Sequence, residues 1–531
     1  MREVHSMNKK STLVGKLLVV GIFIFLIGAS LVSGYVSNFV RDNVNNNNPN
    51  NSNSSSTIDW WPMFHHDLNN SGYSTSPYAP EANNVLWTYQ TDYMVSSSPV
   101  IYNNKVYIGG LDEYLYCLDT KTGALIWKDF VPGAGSDPCV ADGKVILGST
   151  YDYIYCWDAD TGEKIWRFYK DYGGSDKPAV SDGKVYITYS QQNNKNFYGK
   201  ISCLNIDNGT EFWNRIFIDG TINHVAVYNG KVIVPHYYGK LYCLDGETGE
   251  IIWEANTGGA YGTPAIVNGK VYASADGIKC LDVDTGDEIW HYIGEWSYCS
   301  PAVSYNKVYY VSSDGKVICL DAYTGYEVWT YIIGSEYEHA FSSPAIADGK
   351  VYVGIWSNGN LLCLNASNGE FIWDYPVSPG NPGHLSSSPA IANGRLYIGS
   401  MLTGKVFCFG NSSTPPDLPI INSPTKIKVG TSNNFTFNSL DPEGDDVYYY
   451  IEWGDGNAEL WIGPHPSGMD FEIAHTYVKR GKYTIKAKAI DIYGYESDWS
   501  EFEITILRSR LSNHWILELI YRFLMREVII C

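Results

Sequence analysis

Along most of this chain, hydrophobic and polar residues alternate with a period of two in short runs punctuated by Gly, Asn and Asp, the pattern of β-strands joined by tight turns. The run LYCLDTKTGALIW, Leu115 to Trp127, reads as a strand, a turn and a second strand carrying a tryptophan. It recurs as YIYCWDADTGEKIW, KISCLNIDNGTEFW, KLYCLDGETGEIIW, GIKCLDVDTGDEIW, KVICLDAYTGYEVW and NLLCLNASNGEFIW, ending at Trp166, Trp213, Trp253, Trp290, Trp329 and Trp373. Upstream of each copy lies a second shared block, as in SPAVSYNKVYYVSSDGK and SPAIADGKVYVGIWSNGN. An eighth such block, Ser388 to Gly410, stops before any tryptophan, and the strand NNVLWTYQ, Asn83 to Gln90, stands alone at the other end. Units of about 40 residues with four short strands each are the sequence mark of propeller blades. Seven complete units plus one blade shared between the two ends predict an all-β, eight-bladed β-propeller. Trp87 then joins Trp127 and its equivalents as the eighth structural tryptophan.

The repeated positions have mechanical readings. In DTKTG and its equivalents the Asp or Asn is expected to bond nearby backbone amides while the Gly takes positive φ. The tryptophans are expected to pack between neighbouring blades. The cation after the preceding turn (Lys105, Lys144, Lys184, Lys231, Lys270, Lys307, Lys350 and, in the last copy, Arg395) reads as a solvated turn residue. Cys117, Cys156, Cys203, Cys243, Cys280, Cys319, Cys363 and Cys408 share one place on the third strand, with Cys139, Cys299 and Cys531 outside the series. Packed sheets lie about 10 Å apart, beyond the reach of a disulfide, so the repeat thiols are expected to be small buried hydrophobes.

Composition and the termini narrow the function classes. The chain has 531 residues, 43 of them Tyr and 17 Trp, and a formal charge of −20, which excludes a general nucleic-acid binder because phosphate neutralisation needs a basic face. Lys9, Lys10 and Lys16 precede the uncharged stretch Leu17 to Val36, about 30 Å long as a helix. Residues 1–36 are therefore expected to be a signal anchor or a cleaved signal peptide, placing the remainder outside the cytoplasm, membrane-anchored or secreted. Residues 37–58, rich in Asn and Ser, are expected to form a disordered tether. Acceptor sequences at Asn50, Asn53, Asn69, Asn208, Asn365, Asn411 and Asn434 permit glycosylation. HHD, His65 to Asp67, is not expected to hold a metal, because adjacent histidines project differently and further ligands are not visible.

The blocks SSPAIADGKVYVG and CLNASNGEFIW are similar to the pyrroloquinoline-quinone-type propeller repeat, shared by quinoprotein alcohol dehydrogenases and by the non-enzymatic outer-membrane assembly scaffold BamB. The lead-in DWWPMFHHDLNNSGYS, Asp59 to Ser74, resembles the segment that precedes such propellers. The resemblance covers residues 59–410 and implies the fold; activity does not follow from fold. For the dehydrogenases it implies a disulfide between adjacent cysteines, a calcium ion on acidic and amide ligands and a catalytic aspartate. This chain has no two consecutive cysteines and no C-x-x-C-H haem motif, and its longest insertion is SQQNNKNFYG, Ser190 to Gly199. Neither pyrroloquinoline quinone nor calcium is therefore expected as a cofactor, and no catalytic residue is assigned.

In propellers of this type the links from the fourth strand of one blade to the first strand of the next gather on one face around the axis. Here they carry Tyr93, Tyr172, His224, Tyr261, Trp296, Tyr298, Tyr337, His339 and His384, the candidate partner-binding residues. Rings with polar tips suit a protein interface or a sugar, and loops carry function more often than scaffolds do.

After a Pro/Ser linker, residues 411–424, residues 425–507 resemble the polycystic-kidney-disease (PKD) domain, an immunoglobulin-like β-sandwich, through WGDG at Trp453 to Gly456 and HTYVKRGKYTIKAKAID at His475 to Asp491. The resemblance implies a spacer or adhesion module. DPEGDD, Asp441 to Asp446, reads as an acidic turn. In the tail, residues 508–531, an apolar helical face of Trp515, Leu519, Ile520, Phe523, Leu524 and Ile530 suits docking. The expected function is an extracytoplasmic scaffold whose propeller recognises a protein or glycan partner at the cell surface, with a membrane link through the N-terminal helix and no enzymatic activity. The alternatives are a quinoprotein oxidoreductase and a carbohydrate-binding surface protein.

Overall fold

The computed structural model of the chain describes residues 60–508 except 77, 171–173, 175–176, 194–195, 219–223, 238, 259–261, 335–340 and 381–382. The expected signal segment and tether, and the tail from residue 509 onward, lie outside the described residues. Every described element is a β-strand. The first blade is a sheet of Val100–Tyr102, Lys105–Gly109, Tyr114–Asp119 and Leu125–Phe130, antiparallel in chain order. Six equivalent sheets follow, with first strands at Cys139–Ala141, Ala179–Ser181, Ala226–Tyr228, Ala265–Val267, Ala302–Ser304 and Ala345–Ala347. The eighth takes Ala390–Ala392, Arg395–Gly399 and Lys405–Phe409 from one end of the repeat and Val85–Gln90 from the other, with Trp87 opposite Cys408. First strands of consecutive blades are neighbours, and that of blade 1 lies beside that of blade 8, so the ring is closed.

On one face of each blade, four positions line up across the strands, as Val100, Tyr107, Cys117 and Trp127 do in blade 1. The tryptophan leans on the next blade and donates from Nε1 to a turn carbonyl there: Trp127 to Ala159 at 3.2 Å, Trp329 to Ala366 at 3.1 Å. The tyrosine of the same row donates to that same oxygen, Tyr107 at 3.0 Å and Tyr309 at 3.0 Å. Both lone pairs of one carbonyl are thus used by one neighbour. The indole also covers the next blade's turn glycine. Gly286 has a φ of 77°, and a Cβ there would stand 2.7 Å from the Trp253 ring, so both backbone and space demand glycine. Between two large aromatic rings only a small apolar side chain fits, which is why a thiol recurs in the row.

The ten described cysteines are free and buried. Burial pushes the thiols of Cys117, Cys243 and Cys408 up to about 12. Because the thiolate is the reactive form, a thiol reagent at pH 8 should label these residues only after unfolding; rapid labelling of Cys117 in the native protein would contradict this packing.

The repeated lysine is not the solvated turn residue that the sequence suggests. Lys105, Lys144, Lys184 and Lys231 reach the next blade and pair with Asp160, Asp207, Glu247 and Asp284 at 2.5, 3.0, 2.6 and 2.5 Å. These lysine side chains are largely covered, and their ammonium groups meet a carboxylate supplied by another repeat. Each such half-exposed pair contributes at most about 1 kcal/mol.

The lead-in folds as a strap along the inner edges of the first strands. Trp61 exchanges backbone hydrogen bonds with Ile101, and the carbonyls of Pro62, Leu68, Asn69, Ser71 and Gly72 accept the N–H groups of Val140, Val227, Ile266, Val303 and Ile346 at 2.7–2.8 Å. Those edges would otherwise present unpaired donors toward the axis. Positive φ at His65, His66, Asn70 and Gly72 bends the strap to the curvature of the ring. A Cβ on Gly72 would lie 2.6 Å from the His65 ring. His65 is buried with its ring nitrogens 2.8 Å from the Asn70 carbonyl and 2.9 Å from that of Pro344, and burial lowers its pKa to about 4. As a neutral ring it donates its single N–H to one of these two carbonyls.

Behind the propeller, a three-stranded sheet (Ile420–Asn422, Asn433–Asn438, Phe471–His475) packs on a five-stranded one (Lys426–Lys428, Ser500–Leu507, Gly481–Asp491, Val447–Glu452, Ala458–His465). Phe435, Phe437, Tyr449, Trp453 and Ile485 fill the space between them. In WGDG, Trp453 is buried against His475, which pairs with Asp455 at 2.9 Å. DPEGDD is an acidic turn: Asp441 Oδ1 accepts the N–H groups of Glu443 and Asp445 at 3.0 Å each. The turn from Asp491 to Glu496 is held by Asp491 Oδ1, which accepts the N–H groups of Tyr493 and Tyr495 at 2.8 Å each. It carries Tyr493 against Tyr78 and Glu496 onto Lys121 of the first blade.

Candidate functional site

Two loops of each blade reach the same end of the propeller: the link into the first strand, and the turn between the second and third strands. Backbone bonds tie them together. Ser313 N–H donates to the Trp296 carbonyl at 2.8 Å and His384 N–H to that of Trp356 at 2.8 Å. Across blades 6 to 8 the rings on these loops form a continuous strip. Trp296 meets Tyr298 edge to face at 4.6 Å, Tyr298 stacks on Phe341 at 5.4 Å, Phe341 meets Trp356 at 4.8 Å, and Trp356 meets His384 at 4.5 Å. Trp296, Tyr298 and Phe341 are 36, 42 and 37% exposed, far more than the 7–8% of the structural tryptophans Trp329 and Trp373. The strip is thus a surface feature, with its rings held by one another.

Of the residues expected here, the fold brings Trp296, Tyr298 and His384 together. Tyr93 is 55% exposed in the link into blade 1 and makes no ring contact with the strip among the described residues. Tyr172, Tyr261, Tyr337 and His339 lie outside the described residues. Phe341 and Trp356 are additions that the sequence reading missed. Phe341 occupies the place of Tyr298 one repeat later, and Trp356 breaks the second-to-third-strand turn of its copy; aligning the copies position by position would have raised both.

His224 belongs to a different arrangement, a polar ring around the axis. The residue just before the first strand's proline, or before Val225 in blade 4, is Ser98, Asp137, Lys177, His224, Thr263, Ser300, Ser343 and Ser388 in blades 1 to 8. Around the ring, the backbone N–H of one such residue donates to the side chain of the next: Ser300 to Ser343, Ser343 to Ser388 and Ser388 to Ser98 at 2.9–3.0 Å. Ser98 N–H donates likewise to Asp137 at 2.5 Å, and Lys177 N–H to His224 Nδ1 at 3.1 Å. A lysine cannot accept, so between blades 2 and 3 the belt changes chemistry. There Lys177 Nζ pairs with the buried Asp137 carboxylate at 2.8 Å and lies over the Phe64 ring of the strap. Burial, with the Lys177 charge beside it, holds the His224 imidazole well below its usual pKa, so it accepts as a neutral ring. The cluster anchors the strap and closes upon itself.

A family model described as outer membrane protein assembly factor BamB matches residues 111–215, 198–297 and 275–448, together more than half of the chain. A PKD domain model matches residues 417–504. No curated protein matches the chain. Among solved structures, BamB from Moraxella catarrhalis is 18% identical, with 62% of this chain and 100% of that one covered at a TM-score of 0.52. Quinohemoprotein alcohol dehydrogenase from Comamonas testosteroni is 15% identical, with 70% and 83% covered at a TM-score of 0.55. At such identities the likeness is one of fold. The chain belongs to the BamB family of pyrroloquinoline-quinone-type propeller repeat proteins and carries a PKD domain behind its propeller.

Proposed function

We propose that this protein is a non-catalytic scaffold working outside the cytoplasm, which captures a protein partner at the cell surface through the aromatic strip of blades 6 to 8. The observation that carries this reading is the exposure of Trp296, Tyr298 and Phe341 in one interlocked row. Trp and Tyr anchors dominate binding energy at protein interfaces. The ring geometry favours a protein over a glycan. A sugar stacks on an open ring face, whereas Tyr298 and Phe341 turn their faces to each other and Trp296 meets Tyr298 edge to face.

A quinone cofactor finds little support. The sequence has no consecutive cysteines for the disulfide that the dehydrogenase resemblance implies. In whole-cell crosslinking, the double variant Trp296→Ala/Phe341→Ala should lose the proteins captured by the wild type. Its melting midpoint should stay within about 2 °C, because exposed side chains carry little of the stability. Undiminished capture by the variant would refute the reading, as would a defined glycan, found on an array, whose binding survives with the strip removed.

A further inference from the structure

One charged pair recurs between consecutive blades and is missing where the ring closes. In blades 1 to 4 the lysine that opens the second strand meets a carboxylate at the third position of the next blade's DxxxG-type turn. At the seam blade 8 supplies Arg395, and the third position of the blade 1 turn is Lys121, a second cation. Among the described residues no carboxylate pairs with Arg395, which is 5% exposed.

The seam is also the place where a blade is assembled from two ends of the chain, since its outer strand is Val85–Gln90. Blade 8 leans there on the blade 1 turn. The Thr120 carbonyl accepts from Trp87 Nε1 at 3.0 Å, from the Arg395 guanidinium at 2.9 Å and from the Tyr397 hydroxyl at 3.3 Å. The residue after this shared acceptor is Lys121, so whatever holds Lys121 also holds the landing place of Trp87.

One turn of the PKD domain reaches both sides of this junction. From Asp491 to Glu496, the Tyr493 carbonyl accepts from Arg395 of blade 8 at 3.4 Å, and the Glu496 carboxylate pairs with Lys121 of blade 1. Tyr493 also meets Tyr78 of the lead-in, ring centroids 5.9 Å apart. Within the PKD domain Glu496 is held by Lys488, whose ammonium lies 5.1–5.7 Å from the rings of Tyr450, Trp461 and Trp499. The carboxylate that the repeat lacks at its seam is thus supplied by another domain. We propose that the PKD domain is the latch of the propeller: its turn from Asp491 to Glu496 clips blade 8 to blade 1 and keeps the two-ended blade closed. This role is separate from any partner bound at the aromatic strip.

The test is residue-resolved thiol labelling of the full chain carrying Glu496→Arg, which sets a fourth cation against Arg395, Lys121 and Lys488. Cys408 shares its row with Trp87 and Tyr397, the two rings that reach Thr120, so it reports opening of the seam. It should react about tenfold faster than in the wild type, because an attraction becomes a repulsion, while Cys243 and Cys280 across the ring keep their wild-type rates. Those two thiols also show that the rest of the propeller is folded. The double variant Lys121→Glu/Glu496→Arg restores the pair with its charges exchanged, and Cys408 should return to within about twofold of the wild-type rate. A wild-type rate at Cys408 in Glu496→Arg would overturn the proposal, since a mere spacer can be repelled without consequence for the ring. Equal acceleration of all three thiols would overturn it too, as would a double variant that labels as fast as Glu496→Arg.

Discussion

Trp253→Ala is expected to lower the free energy of unfolding by about 3–5 kcal/mol, the range for deleting a large buried aromatic side chain. The ring is 8% exposed and covers Gly286 of the next blade, so its loss opens a cavity between two sheets. It also removes the hydrogen bond from Nε1 to the Val283 carbonyl at 3.0 Å. Blade 4 is a sensitive place for this change. Its second-strand row position is Ile233 in place of tyrosine, so no hydroxyl is there to share that carbonyl. In blade 6 the Tyr309 hydroxyl still donates to Ala366 when Trp329 is removed. Trp253→Ala should therefore cost about 1 kcal/mol more than Trp329→Ala, the difference made by a buried carbonyl left unsatisfied. Paired chemical denaturation curves measure both, and equal losses would show that the shared carbonyl is energetically irrelevant.

A chain beginning at Thr91 is expected to lose more stability than either substitution and to open at one place first. It lacks Val85–Gln90, which supplies the outer strand of blade 8 and sets Trp87 opposite Cys408. It also lacks the strap, so inner-edge N–H groups of blades 1, 2, 4, 5, 6 and 7 lose their acceptors. Time-resolved thiol labelling read residue by residue should find Cys408 modified first and Cys243 and Cys280, across the ring from the seam, last. Labelling at equal rates would mean that the ring opens as a whole, with no weak point at the shared blade.

Which parts of this architecture were legible in sequence follows from where their causes lie. The turn that Asp119 makes, accepting the N–H groups of Lys121 at 3.0 Å and Thr122 at 2.8 Å, is closed within four residues, and each repeat states it again. The cross-blade pairs are different. Nothing near Lys105 announces Asp160, because they meet only when consecutive blades stack. The polar ring was hidden for a related reason: its members differ in type, and their common place before the first strand shows only when the copies are aligned. At the candidate face, exposure to solvent separates Trp296 from Trp290, two tryptophans six residues apart that periodicity alone does not rank.

By itself the sequence determined the number of blades, the order of strands, the partnership of Trp87 with a blade begun some three hundred residues later, and the burial of the repeat cysteines. Each of these is a periodic or local constraint, satisfied independently in every copy. Only the tertiary structure decided the path of the strap, the pairing of each lysine with the next blade, the joining of Phe341 and Trp356 to the aromatic strip, and the uncompensated guanidinium of Arg395 at the seam. Those depend on which distant residues ring closure brings together, and on the single place where the repeat meets its own beginning.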